Sequence, residues 1–173
     1  MAQGLKLKKK VLILGSTGLI GHQVFNYLDT SNKYNLYNFA FRKKLNENTL
    51  VVDARNEYEF LNTIQKISPN VIINCIGILI SGAKKNPENA IFLNSYLPNR
   101  LAKFASQINS KLIHISTDCV FSGKKLSPYF EDDFRDANDL YGRSKALGEI
   151  IQLPHLTLRT SVVGPELKNN GEE

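Results

Sequence analysis

Short apolar runs alternate with longer amphipathic segments along the chain. The apolar runs, such as 9–15 (KKVLILG) and 70–77 (NVIINCIG), lack the alternating polar positions of a sheet with one face in water. Strands of this kind are covered by helices on both faces, and the connections between them are right-handed crossovers. The pattern therefore predicts an α/β fold with a doubly wound parallel sheet of about six strands.

The same pattern predicts the element boundaries and two interruptions. Strands are expected at 9–15, 34–41, 48–54, 70–77, 110–117 and 155–163, and helices at 19–28, 57–67, 87–108 and 141–153. Pro98 lies inside the third helix and predicts a kink there. Residues 122–140 form a long irregular stretch, and long loops over a rigid sheet often carry function.

The composition is that of one soluble globular domain, 1–173, with a basic tail at 1–9. The chain has 173 residues, of which 42% are hydrophobic and 22% charged. No run approaches the roughly 18 apolar residues of a membrane span. No apolar signal core follows the basic N-terminus. We therefore expect a cytoplasmic protein.

The net charge of +6 does not by itself identify a partner. A solvated basic surface and an anionic small ligand explain it equally well, and the chain shows no recognised nucleic-acid motif. Cys75 and Cys119 form neither a CxxC motif nor a Cys/His pair of zinc spacing. We expect both to be reduced thiols, with no metal bound.

A glycine-rich turn follows the first predicted strand and opens the first helix. Gly15 allows the tight turn, Gly18 lets backbone approach a pyrophosphate, and Gly21 lets the helix pack against the sheet. The helix N-terminus offers free N–H groups to the phosphates. A purely structural turn is the alternative. The expected cofactor-binding residues here are Gly15, Ser16, Thr17, Gly18, Leu19, Ile20 and Gly21.

The end of the second strand indicates which dinucleotide is bound. Many dinucleotide sites have an acidic residue there for the ribose hydroxyls, whereas this chain has Arg42 followed by Lys43. A guanidinium forms bidentate, charge-assisted hydrogen bonds with a 2′-phosphate. NADP(H) is therefore favoured over NAD(H), with a solvated basic turn as the alternative.

Tyr141 and Lys145 form a YxxxK motif at a predicted helix start. Residues four apart share a helix face, so the phenol and the ammonium point into one cleft. The ammonium is expected to lower the phenol pKa from its usual value of about 10 and so allow general acid or base catalysis. Thr117 closes the fifth strand, at the edge where doubly wound sheets hold ligands. Its hydroxyl can bind the oxygen of a reacting carbonyl.

Four longer strings carry a family resemblance. STDCVFSGK (116–124), PYFEDD (128–133), YGRSKALGE (141–149) and LRTSVVGP (158–165) resemble dTDP-4-dehydrorhamnose reductase and its relatives. These are extended short-chain dehydrogenases/reductases, of which the GxxGxxG spacing of the turn is also typical. The resemblance covers essentially the whole chain. It implies NAD(P)H-dependent reduction of the ketone of a nucleotide-linked 4-keto-6-deoxy sugar, in the synthesis of cell-surface polysaccharide precursors.

The resemblance also implies roles for individual residues. Thr117, Tyr141 and Lys145 would be catalytic, and the last two would also contact the cofactor. Asp53 would face the adenine amino group, and Ser116 would line the nicotinamide side. The other implied cofactor contacts, all at strand ends, are Ala54, Cys75, Ile76 and Gly77.

The chain departs from the family in several places. Cys119 stands where an aromatic residue usually faces the sugar, and 74–77 (NCIG) replaces an alanine-rich strand end. Segment 77–98 is more similar to a sister branch that acts on other nucleotide sugars. The smaller C-terminal lobe that holds the sugar nucleotide is expected after residue 165 and is largely absent from this sequence. We therefore expect this chain alone to bind dinucleotide but to turn over little substrate.

Two other functions stay open at this point. One is a nucleotide-sugar epimerase or dehydratase on the same scaffold, and the other is a non-catalytic NADP-binding regulatory subunit. Retention of Thr117, Tyr141 and Lys145 favours an enzyme. The expected partner is a nucleotide-sugar substrate, with no nucleic acid and no membrane, and a homo-oligomer is compatible with the sequence.

Overall fold

The computed structural model describes residues 7–162 and contains one six-stranded parallel sheet. The strands are β1 (Lys9–Leu14), β2 (Tyr34–Ala40), β3 (Thr49–Val51), β4 (Val71–Asn74), β5 (Lys111–Thr117) and β6 (Leu156–Thr160). Their spatial order is β3-β2-β1-β4-β5-β6. The predicted doubly wound sheet is confirmed. The order reverses between β1 and β4, where such sheets open a ligand crevice at their carboxyl ends.

The helices cover both faces of the sheet. They are α1 (Leu19–Thr30), α2 (Glu57–Ile67), α3 (Ile80–Lys85), α4 (Pro87–Ala90), α5 (Leu97–Gln107) and α6 (Leu140–Leu147), with a π-helical turn at Ile91–Tyr96 and a 3₁₀ turn at Asp118–Val120. Across residues 7–162, no helix is long and apolar enough to cross a membrane. Most of the predicted basic tail and all residues from 163 onward, including the place expected for a C-terminal lobe, lie outside the described residues.

Alternate residues of the central strands face two separate hydrophobic layers. Leu12 of β1 and Ile72 of β4 belong to the layer formed with α2 and α5, which includes the edge-to-face pair Phe39 and Phe60, 5.8 Å between ring centroids. Ile13 of β1 packs in the other layer, under α1. Burial on both faces explains why the strands are apolar throughout.

Several predicted elements are shorter in the structure. The strand expected at 48–54 is reduced to Thr49–Val51, and the one at 70–77 to Val71–Asn74. The helix expected at 141–153 ends at Leu147. Beyond it, the Thr157 hydroxyl accepts from the backbone N–H of Ile150 at 2.8 Å and donates to the carbonyl of the same residue at 3.0 Å. These bonds hold Ile150 beside β6.

The helix expected at 87–108 is not one helix with a kink at Pro98. A π-helical turn at Ile91–Tyr96 separates two α-helical pieces, and Pro98 lies in the first turn of the second. Proline at that position sacrifices no hydrogen bond within its helix. Helix α3, which begins seven residues before Pro87, was not predicted from the sequence.

Gly21 determines how α1 meets the glycine-rich turn. A Cβ on Gly21 would overlap the carbonyl oxygen of Gly15 and would lie 3.0 Å from the Ser16 Cα. The close approach is therefore between the helix and the turn itself, and not, as the sequence suggested, between the helix and the sheet.

We predict that Gly21→Ala destabilises the fold by about 2–4 kcal/mol, because backbone must move to relieve the overlap. Urea denaturation measures the loss. Gly18→Ala is the matched control, since a Cβ there meets one backbone oxygen at an ordinary 3.4 Å. A Gly21→Ala protein as stable as the wild type would contradict this account of the contact.

Candidate active site

The glycine-rich turn has the backbone geometry of a phosphate cradle. Gly15 has φ of +77°, and its N–H and that of Ser16 both donate to the Phe39 carbonyl, at 3.0 and 2.9 Å. No side chain caps the start of α1 at Leu19. The first-turn N–H groups of this helix have no partner within the helix and face the carboxyl edge of the sheet. They are suitably placed for an anion.

The side chain of Ser16 does not belong to that cradle. Its hydroxyl is fully buried and donates to Asn38 Oδ1 at 2.9 Å and to the Phe39 carbonyl at 3.1 Å. A cofactor contact by Ser16 is therefore restricted to its backbone. Thr17, Leu19 and Ile20 are partly exposed, and Gly18 is exposed.

Basic side chains lie at the carboxyl ends of β2 and β3. Arg42 and Lys43 are exposed, and the Arg42 guanidinium carbon lies 4.8 Å from the centroid of the Phe41 ring. Asp53 lies two residues beyond β3, and its carboxylate accepts from Arg55, a residue that sequence reasoning missed. The guanidinium beside Asp53 holds the pKa of that carboxyl below its usual range. Ala54 is buried in the core, so only its backbone can reach a ligand.

The end of β4 passes close to the turn. A Cβ on Gly15 would lie 3.1 Å from the Ile76 nitrogen and 3.2 Å from the Cys75 carbonyl carbon. Asn74 fixes this backbone, because its Oδ1 accepts from the Ile76 N–H at 3.1 Å while its amide nitrogen lies 3.1 Å from His114 Nδ1 on β5. Burial raises the pKa of the Cys75 thiol to about 12, so it stays a thiol.

Thr117 and Tyr141 lie where β5 ends and α6 begins. The side chain of Asp139 caps α6 by accepting from the Gly142 N–H at 3.0 Å. A Cβ on Gly142 would overlap the Cys119 carbonyl, so the helix packs directly on the 3₁₀ turn that follows Thr117. The Thr117 hydroxyl donates to Asp118 Oδ1 at 3.1 Å and accepts from the Cys119 N–H at 3.2 Å.

Lys145 is a buried cation at the centre of this edge. Its side chain is 5% exposed, and Nζ donates to the Ile115 carbonyl of β5 at 2.6 Å. A Cβ on Gly77 would lie 3.7 Å from the same nitrogen, so Gly77 leaves open space beside it. Burial lowers the pKa of Lys145 to about 8, against the opposing effect of the Glu149 carboxylate.

The expected effect of Lys145 on Tyr141 is not seen. Burial raises the pKa of Tyr141 above its ordinary value, the carboxylates of Asp118 and Asp139 act in the same direction, and the Thr117 hydroxyl opposes them. The prediction of a lowered phenol pKa is wrong for this structure. The physical reason is that the Lys145 ammonium bonds to the backbone of β5 instead.

The π-helical turn brings Asn94 into the site. Its amide nitrogen donates to the Ile78 carbonyl at 3.0 Å and to the Ser144 hydroxyl at 3.1 Å, and its Oδ1 accepts from the Ile78 N–H at 2.8 Å. The Ser95 hydroxyl donates to the Ser144 carbonyl at 2.7 Å. Asn94 thus joins the backbone after Gly77 to the helix of Tyr141. The one sequence signal was an asparagine within an apolar helical run.

Ser116 links the end of β5 to a buried carboxylate. Its hydroxyl donates to the Glu149 carboxylate at 2.8 Å, so its proton already has an acceptor. Glu149 also accepts from Arg135 at 2.5 Å and from Arg159 at 2.8 Å. Burial alone would raise the pKa of Glu149, but the hydrogen bonds from Arg159, Ser116 and Arg135 hold it below its ordinary value. This cluster fastens the irregular loop to β5 and β6 behind α6.

The structure therefore places the expected residues in two groups. The turn, the end of β4, Thr117, Tyr141 and Lys145 share the carboxyl edge around β1, β4 and β5, and Arg42 and Asp53 lie toward the outer strand β3. Across the described part of the chain, no group of three or more His, Cys, Asp or Glu side chains is placed to hold a metal ion. The edge can accordingly receive an extended anionic ligand with a reactive group beside Tyr141.

Comparison with known proteins identifies relatives along most of the chain. Residues 9–171 match the family described as the RmlD substrate binding domain. A dTDP-4-dehydrorhamnose reductase of Aggregatibacter actinomycetemcomitans is 31% identical over 93% of this chain and 54% of its own length. Spore coat polysaccharide biosynthesis protein SpsK of Bacillus subtilis (strain 168) is 30% identical over 89% of the chain and 51% of its length. Methionine adenosyltransferase 2 subunit beta of Mus musculus is 32% identical over 82% of this chain and 42% of its own length.

Solved structures of dTDP-4-dehydrorhamnose reductases are similar in fold to this chain. A hypothetical dTDP-4-dehydrorhamnose reductase from Sulfolobus tokodaii superposes with a TM-score of 0.80 at 27% identity, over 87% of this chain and 55% of that one. The dTDP-4-dehydrorhamnose reductase of Bacillus anthracis str. Ames, in complex with NADP, superposes with a TM-score of 0.72 at 28% identity. The superposition covers 83% of this chain and 48% of that one. The chain spans about half the length of the curated relatives it matches. Since the family match extends over nearly the whole chain, the chain belongs to the RmlD substrate binding domain family.

Proposed function

We propose that this chain is the cofactor-binding part of an NADPH-dependent reductase of a nucleotide-linked 4-keto-6-deoxy sugar. The observation that carries the proposal is the meeting of Thr117, Tyr141 and the buried Lys145 beside the glycine-rich turn, in a member of this family. The reductase of Bacillus anthracis str. Ames, which binds NADP, supports the choice of cofactor. SpsK supports a place in polysaccharide precursor synthesis, and we propose that the protein acts in the cytoplasm.

The residues present fit an NADP(H) molecule. The uncapped start of α1 suits the pyrophosphate, and Arg42 and Lys43 suit the 2′-phosphate. Lys145, with its open side beside Gly77, suits the hydroxyls of the nicotinamide ribose. When bound, NADPH supplies the hydride that reduces the ketone carbon.

Tyr141 is suited to the proton that completes the reduction. A raised phenol pKa keeps Tyr141 protonated at neutral pH, which is the state a general acid needs. The phenol would donate its proton to the alkoxide oxygen that forms on the sugar, and the Thr117 hydroxyl would hold that oxygen in place. Cys119, adjacent to these groups, would contact the sugar and so affect which sugar is accepted.

We predict that Tyr141→Phe lowers turnover at least about a hundredfold, the usual contribution of a positioned general acid. The measurement is NADPH oxidation with a dTDP-linked 4-keto-6-deoxy sugar, on the protein that carries this chain. NADPH affinity, measured by fluorescence, should hardly change, because the ring remains. Turnover near the wild-type rate would show that another group delivers the proton.

We predict that NADPH binding near pH 8 takes up as much as about half a proton through Lys145. With a pKa of about 8, the free side chain is half-charged at that pH. Phosphates and ribose hydroxyls favour the ammonium, so binding raises its pKa, and affinity falls as the pH rises above 8. Calorimetry in two buffers of different ionisation enthalpy measures the uptake. Lys145→Met should abolish it, and a wild type without uptake would contradict this role.

A specific observation also favours a second function. Methionine adenosyltransferase 2 subunit beta, which its name gives as a subunit of another enzyme, is as similar to this chain as the reductases are. The chain could accordingly serve as an NADP-binding subunit without turnover of its own. Absence of turnover with every nucleotide keto sugar, together with tight binding to another protein, would establish this alternative.

A further inference from the structure

Arg55 lies at the outer edge of the site, where its guanidinium is paired with Asp53. The residue follows β3 by four positions and is exposed. It is close to Phe41, which follows β2, because β2 and β3 are parallel neighbours with Ala40 paired to Val51. The carboxyl ends of these two strands thus bring Arg55 to the same edge as Arg42.

Arg55 is held in a fixed orientation by Asp53. Its Nε donates to both carboxylate oxygens at 3.0 Å, its Nη2 donates to Oδ2 at 2.7 Å, and its backbone N–H donates to Oδ1 at 3.0 Å. A guanidinium has five N–H donors, and those of Nη1 have no partner in the described part of the chain. The bonds to Asp53 therefore orient Arg55 and leave the Nη1 donors available for a ligand.

Phe41 brings the two arginines together. The guanidinium carbons of Arg42 and Arg55 lie 4.8 and 4.9 Å from the centroid of its ring, within the range of a cation–π contact. Both cations therefore lie beside one ring, and the sum of these distances is an upper limit on their separation. Asp53 balances the charge of Arg55, whereas Arg42 forms no ion pair with another described residue.

We propose that Arg55 is a second arm, together with Arg42, of the site that binds the cofactor 2′-phosphate. Asp53 is the positioning residue that holds Arg55, and it is not primarily a reader of the adenine amino group. A phosphate dianion that reaches both side chains would accept hydrogen bonds from each guanidinium, whose planar set of donors suits phosphate better than an ammonium does. The inference rests on the cofactor part of the proposed function.

The test compares dissociation constants for NADPH and NADH, measured by calorimetry, in the wild type and in Arg55→Gln. We expect NADPH binding to weaken about tenfold, as for loss of a charge-assisted hydrogen bond, and NADH binding to stay within about twofold. Lys33→Gln removes the same charge at the opposite edge of the sheet and should leave both constants unchanged. Arg42→Ala should weaken NADPH selectively, as Arg55→Gln does.

The role of Asp53 is tested by combining substitutions. Asp53→Asn should alter NADPH binding in the wild type but not in the Arg55→Gln background, and it should leave NADH binding unchanged. Equal weakening of NADPH and NADH by Arg55→Gln, or no effect on either, would overturn the inference while leaving the proposed function intact. Weaker NADH binding in Asp53→Asn would show that Asp53 contacts the adenine, as the family resemblance implies. If neither dinucleotide binds the wild type, the proposed function and the inference both fail.

Discussion

The burial of one cation, Lys145, is the constraint on which the rest of the site depends. Removing an ammonium from water is costly unless polar groups replace its hydration. Among the described residues, Nζ has one hydrogen-bond partner, the Ile115 carbonyl, and burial lowers its pKa to about 8. A ligand that offers further oxygens at this point stabilises the charged form. The buried lysine thus couples cofactor binding to the protonation of the site.

Two polar clusters fix the position of α6, which carries Lys145. On one side, the π-helical turn directs Asn94 to Ile78 and Ser144. On the other, the Glu149 carboxylate accepts hydrogen bonds from Ser116, from Arg135 of the loop and from Arg159 of β6. Both clusters are internally satisfied, which favours one rigid arrangement over several. The position of Tyr141 relative to Thr117 follows from these contacts and not from the YxxxK spacing alone.

The sequence predicted the sheet, the glycine-rich turn and the YxxxK helix because their signals are local. It missed the π-helical turn because the partners of Asn94 lie sixteen and fifty residues away in the chain. It predicted the wrong direction for the Tyr141 pKa for a related reason: the Lys145 ammonium is bonded to β5, a partner no helix pattern reveals. Arg55 was missed because only the pairing of β2 with β3 places it beside Phe41.

We propose that this edge of the sheet presents a nicotinamide hydride to the ketone of a nucleotide-linked sugar. Such a role explains why a cradle for phosphates, a protonated phenol and a buried cation lie in one place. The direct measurement is transfer of deuterium from NADPH labelled at the hydride position to a dTDP-linked 4-keto-6-deoxy sugar, followed by mass spectrometry and NMR of the product. We expect one deuterium on the former ketone carbon. A sugar recovered unlabelled, with the deuterium retained on a cofactor that stays bound, would contradict it.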